Sequence, residues 1–344
     1  SVDCFTADTD NFTVNCATFT GNAFARCDFA TSVDTLTFGP GETSKTFPIP
    51  IIDDVWAEGN ETFGVALSNP IGGATVGAPS TALITIVEND AVTGSNPIFL
   101  TPFFVRQNYL DFLSREPEVG EPWSPLLNGC SDVNNNPACD RLTVSGAIFG
   151  SPEFQLKGYY NYRFYKLAFN RLPLYEEIVV DMRKVTGTTQ QDTFNRKALF
   201  ANNFVLRNEF TFQYNGLSNT QYVNTLMGRY SLGAITTTDP NNPDQGGQVT
   251  LTTQDLIDRL NGVGGTLTRA QVLRAIADSQ NVFTAEFNQG FVAFQYYGYL
   301  RRIPDAGGYN GWLTYMNAHP TDFRTMVHGF LDSDEYRRRF GPNP

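Results

Sequence analysis

The chain is short of positive charge, of histidine, of cysteine beyond residue 139, and of any long apolar run. Its 24 lysines and arginines face 35 aspartates and glutamates, a net charge of −11, which excludes a nucleic-acid or anionic-lipid partner unless basic residues cluster sharply. The one basic cluster, Arg337 to Arg339, reads as a solvated helix end. Two histidines, His319 and His328, leave little room for a catalytic triad, and His328 within "FRTMVHGFL" reads as a packing residue. Nucleophile elbow, phosphate loop, dinucleotide fingerprint and His-Glu zinc motif are all absent. A carboxylate-only glycosidase would leave no motif, but nothing points to one, and no enzymatic activity is expected.

No apolar run approaches the roughly 20 residues needed to cross a bilayer, so a soluble chain without a membrane span is predicted. No secretory leader is visible, and the opening "SVDCFTADTD" reads as a processed boundary. Charged residues make up only 17%, a balance that suits a secreted protein. Five cysteines fall at Cys4, Cys16, Cys27, Cys130 and Cys139. The last two bracket "CSDVNNNPAC", a polar, turn-rich loop that a short disulfide would pin in an oxidising compartment. Zinc is not expected, because neither histidine lies near a cysteine.

What is present divides the 344 residues into an all-β part and an all-α part. Residues 1–90 alternate with period two at Phe12, Val14 and Cys16; Leu36 and Phe38; Phe47, Ile49 and Ile51; Phe63, Val65 and Leu67; Ile84 and Ile86. This is the pattern of a β-sandwich. Residues 91–102 read as a linker, and "TTTDPNNPDQGGQ" near residue 240 as an exposed loop. From 103 to 344 the period is helical, possible subdomains being 103–235 and 250–344. "SPEF" offers Ser151 as an N-cap before Pro152. Thr268 and Gln271 stand in capping-box register, and Phe283, Phe287, Phe291 and Phe294 form an aromatic stripe expected to be core. A diffuse repeat joins "FVRQNYLDFLSREPEVGEPW" and "FVAFQYYGYLRRIPDAGGYNGW", with "YNYRFYKLAFNRLP" as an echo and "SPEF" and "SDEY" as following caps.

The residues "DTLTFGPGETSKTFPIPIIDDVWAEGNETFGVALSNPIGGATVGAPSTALITIVEND" resemble a Calx-beta domain, an immunoglobulin-like sandwich. The motifs "FVRQNYLDFLSREP", "RLTVSGAIFGSPEF", "GTLTRAQVLRAIADS" and "YYGYLRRIPDAGGYNGW" resemble the DUF4214 type found in exported bacterial surface proteins of acidobacterial type. The first resemblance implies calcium at one end of the sandwich, since hard cations take six to eight oxygens. It carries candidate ligands onto Asp28, Asp53, Asp54, Glu58 and Asp90, with Glu88 able to join them, while Asn89 interrupts the final acidic run. The second implies an extracellular or cell-surface address without an established activity.

Against the family pattern, the sandwich lacks its first strand or strands, including a ligand glutamate, which would leave an edge that folded proteins cover. Either "DNFTVNCATFTGNAFARC" folds back with Cys16 and Cys27 bridged, or a neighbouring copy donates a strand. Cys4 is then left for an intermolecular bond. These features lead to an extracellular structural protein that self-assembles into a filament or array with itself or other surface proteins. The alternative is a calcium-dependent adhesion or glycan-binding module, with Trp123, Trp312 and Tyr309 as candidate sugar-stacking residues. Asn11 and Asn60 stand in N-x-Thr sequons.

Overall fold

The computed structural model describes residues 1–8, 15–70, 72–90, 94–187 and 189–343. Phe12, Val14 and the sequon at Asn11 lie outside these, as does the start of the linker at 91–93. The chain forms two compact units, one made of Ser1–Phe154 with Phe294–Pro344 and the other of Gln155–Ala293. This differs from the expected divisions, because residues distant in sequence share one body.

In the first unit, four antiparallel strands run β1 (Val2–Ala7), β2 (Val33–Leu36), β3 (Glu61–Ser68) and β4 (Thr81–Ile86) in the order β2-β1-β3-β4. Pairing of Cys4 with Leu67 and of Phe63 with Ile84 sets Cys4, Thr6, Glu61, Phe63 and Val65 on one face, since side chains alternate along a strand. Cys4, Thr6, Glu61 and Phe63 are buried there. Phe63 stacks on Phe29 with centroids 4.1 Å apart, beside Ala23 and Ala25.

The layer opposite the sheet is irregular chain. Among the described residues its isolated bridges are Asn22↔Thr62, which reaches β3, and Phe29↔Ile51, which lies within the irregular layer itself. The alternation at Phe47, Ile49 and Ile51 therefore yields no strand, although Ile49 packs on the Phe63 core. A disulfide joins Cys16 to Cys27, with Cα atoms 5.4 Å apart, and holds the segment that supplies Ala23 and Ala25.

Two supports of the self-assembly reading need correction. β1 lies inside the sheet with partners on both sides, so the first strand expected to be missing has an occupant in this chain. Cys4 is 3% exposed, its Sγ against the Asp34 carbonyl at 3.5 Å, and burial with nearby Asp34 pushes its thiol up to about 11. A buried thiol held protonated cannot reach a neighbour. Alkylation of the native, unreduced chain is expected to label no cysteine; after denaturation without reductant, mass spectrometry should find one labelled thiol, Cys4. Three labels would show that one of the two bridges is absent.

The repeat noticed in the sequence is a physical unit, and it occurs three times among the described residues. Helices Thr101–Asn108 and Gln280–Gln295 each run into a wide turn, Tyr109–Leu113 and Tyr296–Leu300. Ser114, Asn170 and Arg301 then end their helices at φ 55°, 53° and 49°, the left-handed C-cap conformation. The next residue is an arginine each time, and it joins a near acid to a far one. Arg115 bonds Glu118 (2.7 Å) and Glu153 (2.8 Å); Arg171 bonds Glu177 (2.7 Å) and Glu209 (2.6 Å); Arg302 meets Asp305 (3.6 Å) and Glu335 (2.6 Å). Each far acid precedes a buried ring, Phe154, Phe210 or Tyr336. The "RNEF" at 207–210 thus completes the echo that sequence alone left short.

The second unit has its own aromatic core, in which Phe164, Phe200, Phe204, Phe210, Tyr214 and Tyr222 are all buried. Thr268 and Gln271 form their capping box. The stretch near residue 240 is a hairpin of β5 (Ala234–Thr238) and β6 (Gln248–Thr252), not simply a loop. Its turn sends Asp244 to Arg274 at 2.5 Å and Lys197 at 3.4 Å. Of the aromatic stripe, Phe291 and Phe294 are buried while Phe287 is 39% exposed.

In the first unit, Cys130 and Cys139 are bonded, with Cα atoms 5.5 Å apart. Trp123, Tyr309 and Trp312 are half-buried, and Trp312 packs on Phe330. His328 does not pack inward: Met326, Val327 and Phe330 take the buried face of Phe323–Leu331, which leaves its ring exposed and 3.0 Å from Asp332.

Candidate metal centre

One end of the sheet closes around acids. Ile52 is buried and Asp53 exposed, so the alternation of extended chain turns Asp54 inward, 7% exposed. Its Oδ1 accepts the Trp56 N–H at 2.7 Å, which tightens the following turn. Gly59 then adopts φ +81°, and a Cβ there would meet the Phe19 ring at 3.2 Å. That turn brings Glu58 back toward the interior and starts β3 at Glu61.

Asp28, 6% exposed, accepts the Phe24 N–H at 2.6 Å. Single ligand oxygens of Asp28, Asp54 and Glu58 lie within 4.8 Å of one another. Two ligands of one calcium ion can stand no further apart than about 5 Å, twice a Ca–O bond of roughly 2.4 Å. The triad fits inside that limit.

The triad belongs to a cavity of about 50 Å³ lined by seven carboxylates: Asp28, Asp53, Asp54, Glu58, Glu61, Glu88 and Asp90. No lysine or arginine lines it. Burial, with the charges of Asp28 and Asp90 added, pushes Asp54 up to about 8. Burial and the Asp28 and Asp54 charges push Glu58 up to about 9. Asp28 and Glu61 are both raised by desolvation and hydrogen-bond each other, so without a cation the pair retains a proton.

Glu88 behaves differently. Burial opposes its charge, but backbone N–H groups of Asp90, Gly59 and Glu58, at 2.7, 2.6 and 2.5 Å, outweigh that and hold it below the usual range. It ties the two acidic loops together as an anion. Asp53 and Asp90 stand at the rim of the same cavity, outside the triad, with Asn89 donating to Asp53 at 3.4 Å. Desolvation, then the Asp53 charge, raises Asp90. Glu61, which sequence reasoning did not count as a ligand, reaches the site because β3 alternates it onto the buried face with Phe63.

The loops are held from outside the sheet. Arg301 donates to the carbonyls of Ala25 and Phe29, the latter at 3.1 Å, on either side of Asp28. Arg339 donates to the Arg26 carbonyl at 2.9 Å. Arg106 holds the Ile51 carbonyl at 2.9 Å, the Val55 N–H reaches Phe340 at 3.2 Å, and the Trp56 indole reaches the Arg338 carbonyl at 3.0 Å. Both arginines that grip the Asp28 loop converge on Asp111, whose side chain is fully buried. The acids are therefore positioned by residues far away in the chain.

An acid-lined cavity of this kind, at one end of an antiparallel sheet, agrees with what a comparison of families finds. Residues 5–90 match the Calx-beta domain. Residues 282–340 match a domain of unknown function, DUF4214, in the order expected from the sequence. Calx-beta domains are calcium-binding and adhesion-type modules, and the whole acidic cluster falls inside the matched span. A stretch of 67 residues is 39% identical to Adhesion G-protein coupled receptor V1 of Danio rerio. It covers 20% of this chain and 1% of that protein, so the chain spans a very small part of that relative's length. No solved structure matches. The DUF4214 match ends at residue 340 and so takes in Arg301 and Arg339, which brace the Calx-beta loops. No helix among the described residues is long and apolar enough to cross a membrane.

Proposed function

We infer that this chain is a calcium-binding, adhesion-type module of an extracellular surface protein, in which Asp28, Asp54 and Glu58 hold the ion. Glu61 and the rim acids Asp53 and Asp90 complete its oxygen shell directly or through water. The observation that carries this reading is a cavity ringed by seven carboxylates with no basic residue among its lining. Carboxylates packed so closely repel one another unless they are protonated or share a cation. The donor set is all oxygen, which suits calcium and gives zinc neither sulfur nor imidazole. Two disulfides suit an oxidising, extracellular setting. The name of the similar receptor, an adhesion protein, points the same way.

Calorimetric titration of the chelator-treated full chain with calcium tests the reading. One ion per chain is expected, with a gain in unfolding free energy of about 2.7 kcal/mol at a hundredfold excess over the dissociation constant. Asp54→Asn should remove most of that gain. A wild-type chain that neither takes up calcium nor gains stability from it would overturn the proposal.

A further inference from the structure

A second cavity, of about 280 Å³, lies in the first unit among the residues around Arg141. Its walls come from Phe99 and Phe104, from Asn134 and Asn135 in the loop closed by the Cys130–Cys139 disulfide, and from His328, Asp332, Tyr336 and Arg337. The charge in it is unbalanced. Asp332 is shared by Arg337 and His328, whereas Arg141 meets no carboxylate among the described residues.

A guanidinium has five N–H donors. Among the described residues the Arg141 guanidinium makes one protein hydrogen bond, to the carbonyl of Phe99, and lies against the rings of Phe99 and Phe104 at 5.7 and 5.3 Å. Desolvation, with the neighbouring Arg337 charge, holds it below the usual arginine range. Tyr336 lines the same cavity and is 1% exposed. The Tyr336 hydroxyl is buried with no hydrogen-bond partner, a state that costs free energy unless a partner is supplied.

We propose that this cavity binds a small carboxylate-bearing ligand, with Arg141 pairing the carboxylate and the Tyr336 hydroxyl donating to it. A carboxylate accepts from a guanidinium in a forked pair and still has lone pairs for a phenol. It would satisfy the idle arginine donors and the orphaned hydroxyl together. The volume is just under the roughly 300–1,000 Å³ of sites that enclose drug-sized ligands, so a single-ring organic acid fits better than a polymer segment. An acidic sugar is the natural choice for a surface protein. The exposed His328 and the disulfide-pinned Asn134 and Asn135 line the same cavity and supply side chains able to hydrogen-bond such a ring. This site shares no lining residue with the acidic cavity.

The test is calorimetric titration of the full chain with galacturonate, with galactose as the neutral counterpart and inorganic sulfate as the second oxyanion source, in calcium and again in chelator. Galacturonate should bind in both buffers and galactose should not. Arg141→Met should weaken binding at least about tenfold. Tyr336→Phe keeps the ring and removes only the unpaired hydroxyl, so it should fold with an unreduced denaturation midpoint and bind roughly threefold to tenfold more weakly. If Arg141→Met does not fold, Tyr336→Phe still decides. Sulfate binding as tightly as galacturonate, and lost in the same variants, would support the anion site and assign it to inorganic oxyanions. No binding of either anion at millimolar concentration, equal binding of galactose, or unchanged affinity in both variants would overturn the proposal.

Discussion

Asp111→Ala is expected to lower the unfolding free energy by roughly 3–5 kcal/mol, read as a fall in the urea midpoint. Two buried guanidinium groups close against Asp111: Arg301 at 2.9 Å, 2% exposed, and Arg339 at 3.3 Å, 1% exposed. Gln107 adds a bond at 2.7 Å. A buried ion cluster is weak evidence of net stability, because desolvation offsets the attraction. Removing its only anion is another matter, since it leaves two cations in low dielectric with nothing to balance them. Desolvation already holds Arg339 below the ordinary arginine range. Asp111→Asn, which keeps the shape and one acceptor, should lose less than the alanine variant. Both variants should also bind calcium more weakly, because Arg301 and Arg339 hold the carbonyls of Ala25, Arg26 and Phe29 around Asp28. A loss of stability below about 1 kcal/mol would show that the cluster is hydrated and not the keystone of this unit.

This cluster also marks where sequence reading stops. Asp111 and Arg301 are 190 residues apart, and no local period or motif links them. Their convergence needs the first repeat's turn, the last repeat's C-cap and the sheet to share one body. Legible features were those with a local physical signature. The alternation of Phe63, Val65 and Leu67 announced β3; Thr268 and Gln271 announced a helix start; the adjacent aspartates announced an acidic loop. The same alternation at Phe47, Ile49 and Ile51 misled, because period two reports which side chains face a core and not whether the backbone finds a partner. β1 was missed for the reverse reason, since "VDCFTA" carries little alternation and gains its place from β2 and β3. Of Asp53 and Asp54, only the inward one joins the triad, a distinction visible in the buried Ile52 beside them once the chain is known to be extended.

The acidic centre makes a stability prediction whose sign depends on calcium. Unfolded, Asp54 and Glu58 ionise near pH 4; folded and without a cation, burial and their neighbours raise them to about 8 and about 9. Between those limits the native chain binds more protons than the unfolded one, so the contribution of these groups is fully present below about pH 4 and is lost as pH rises toward about 9. Without calcium, the denaturation midpoint should therefore fall between about pH 6 and about pH 9. Calcium needs the same groups deprotonated, so its uptake should release about two protons or more per ion near pH 7, measured by calorimetry in buffers of different ionisation enthalpy. Its apparent affinity should climb through the window in which the apo chain weakens, and saturating calcium should flatten the slope. Asp54→Asn combined with Glu58→Gln removes both ionisations; this variant should be more stable than the wild type without calcium at high pH, and indifferent to calcium. An apo midpoint that is level across this range, with no protons released on calcium uptake, would mean that the acids are already ionised in the apo fold, and the coupling of calcium uptake to their protons would be overturned.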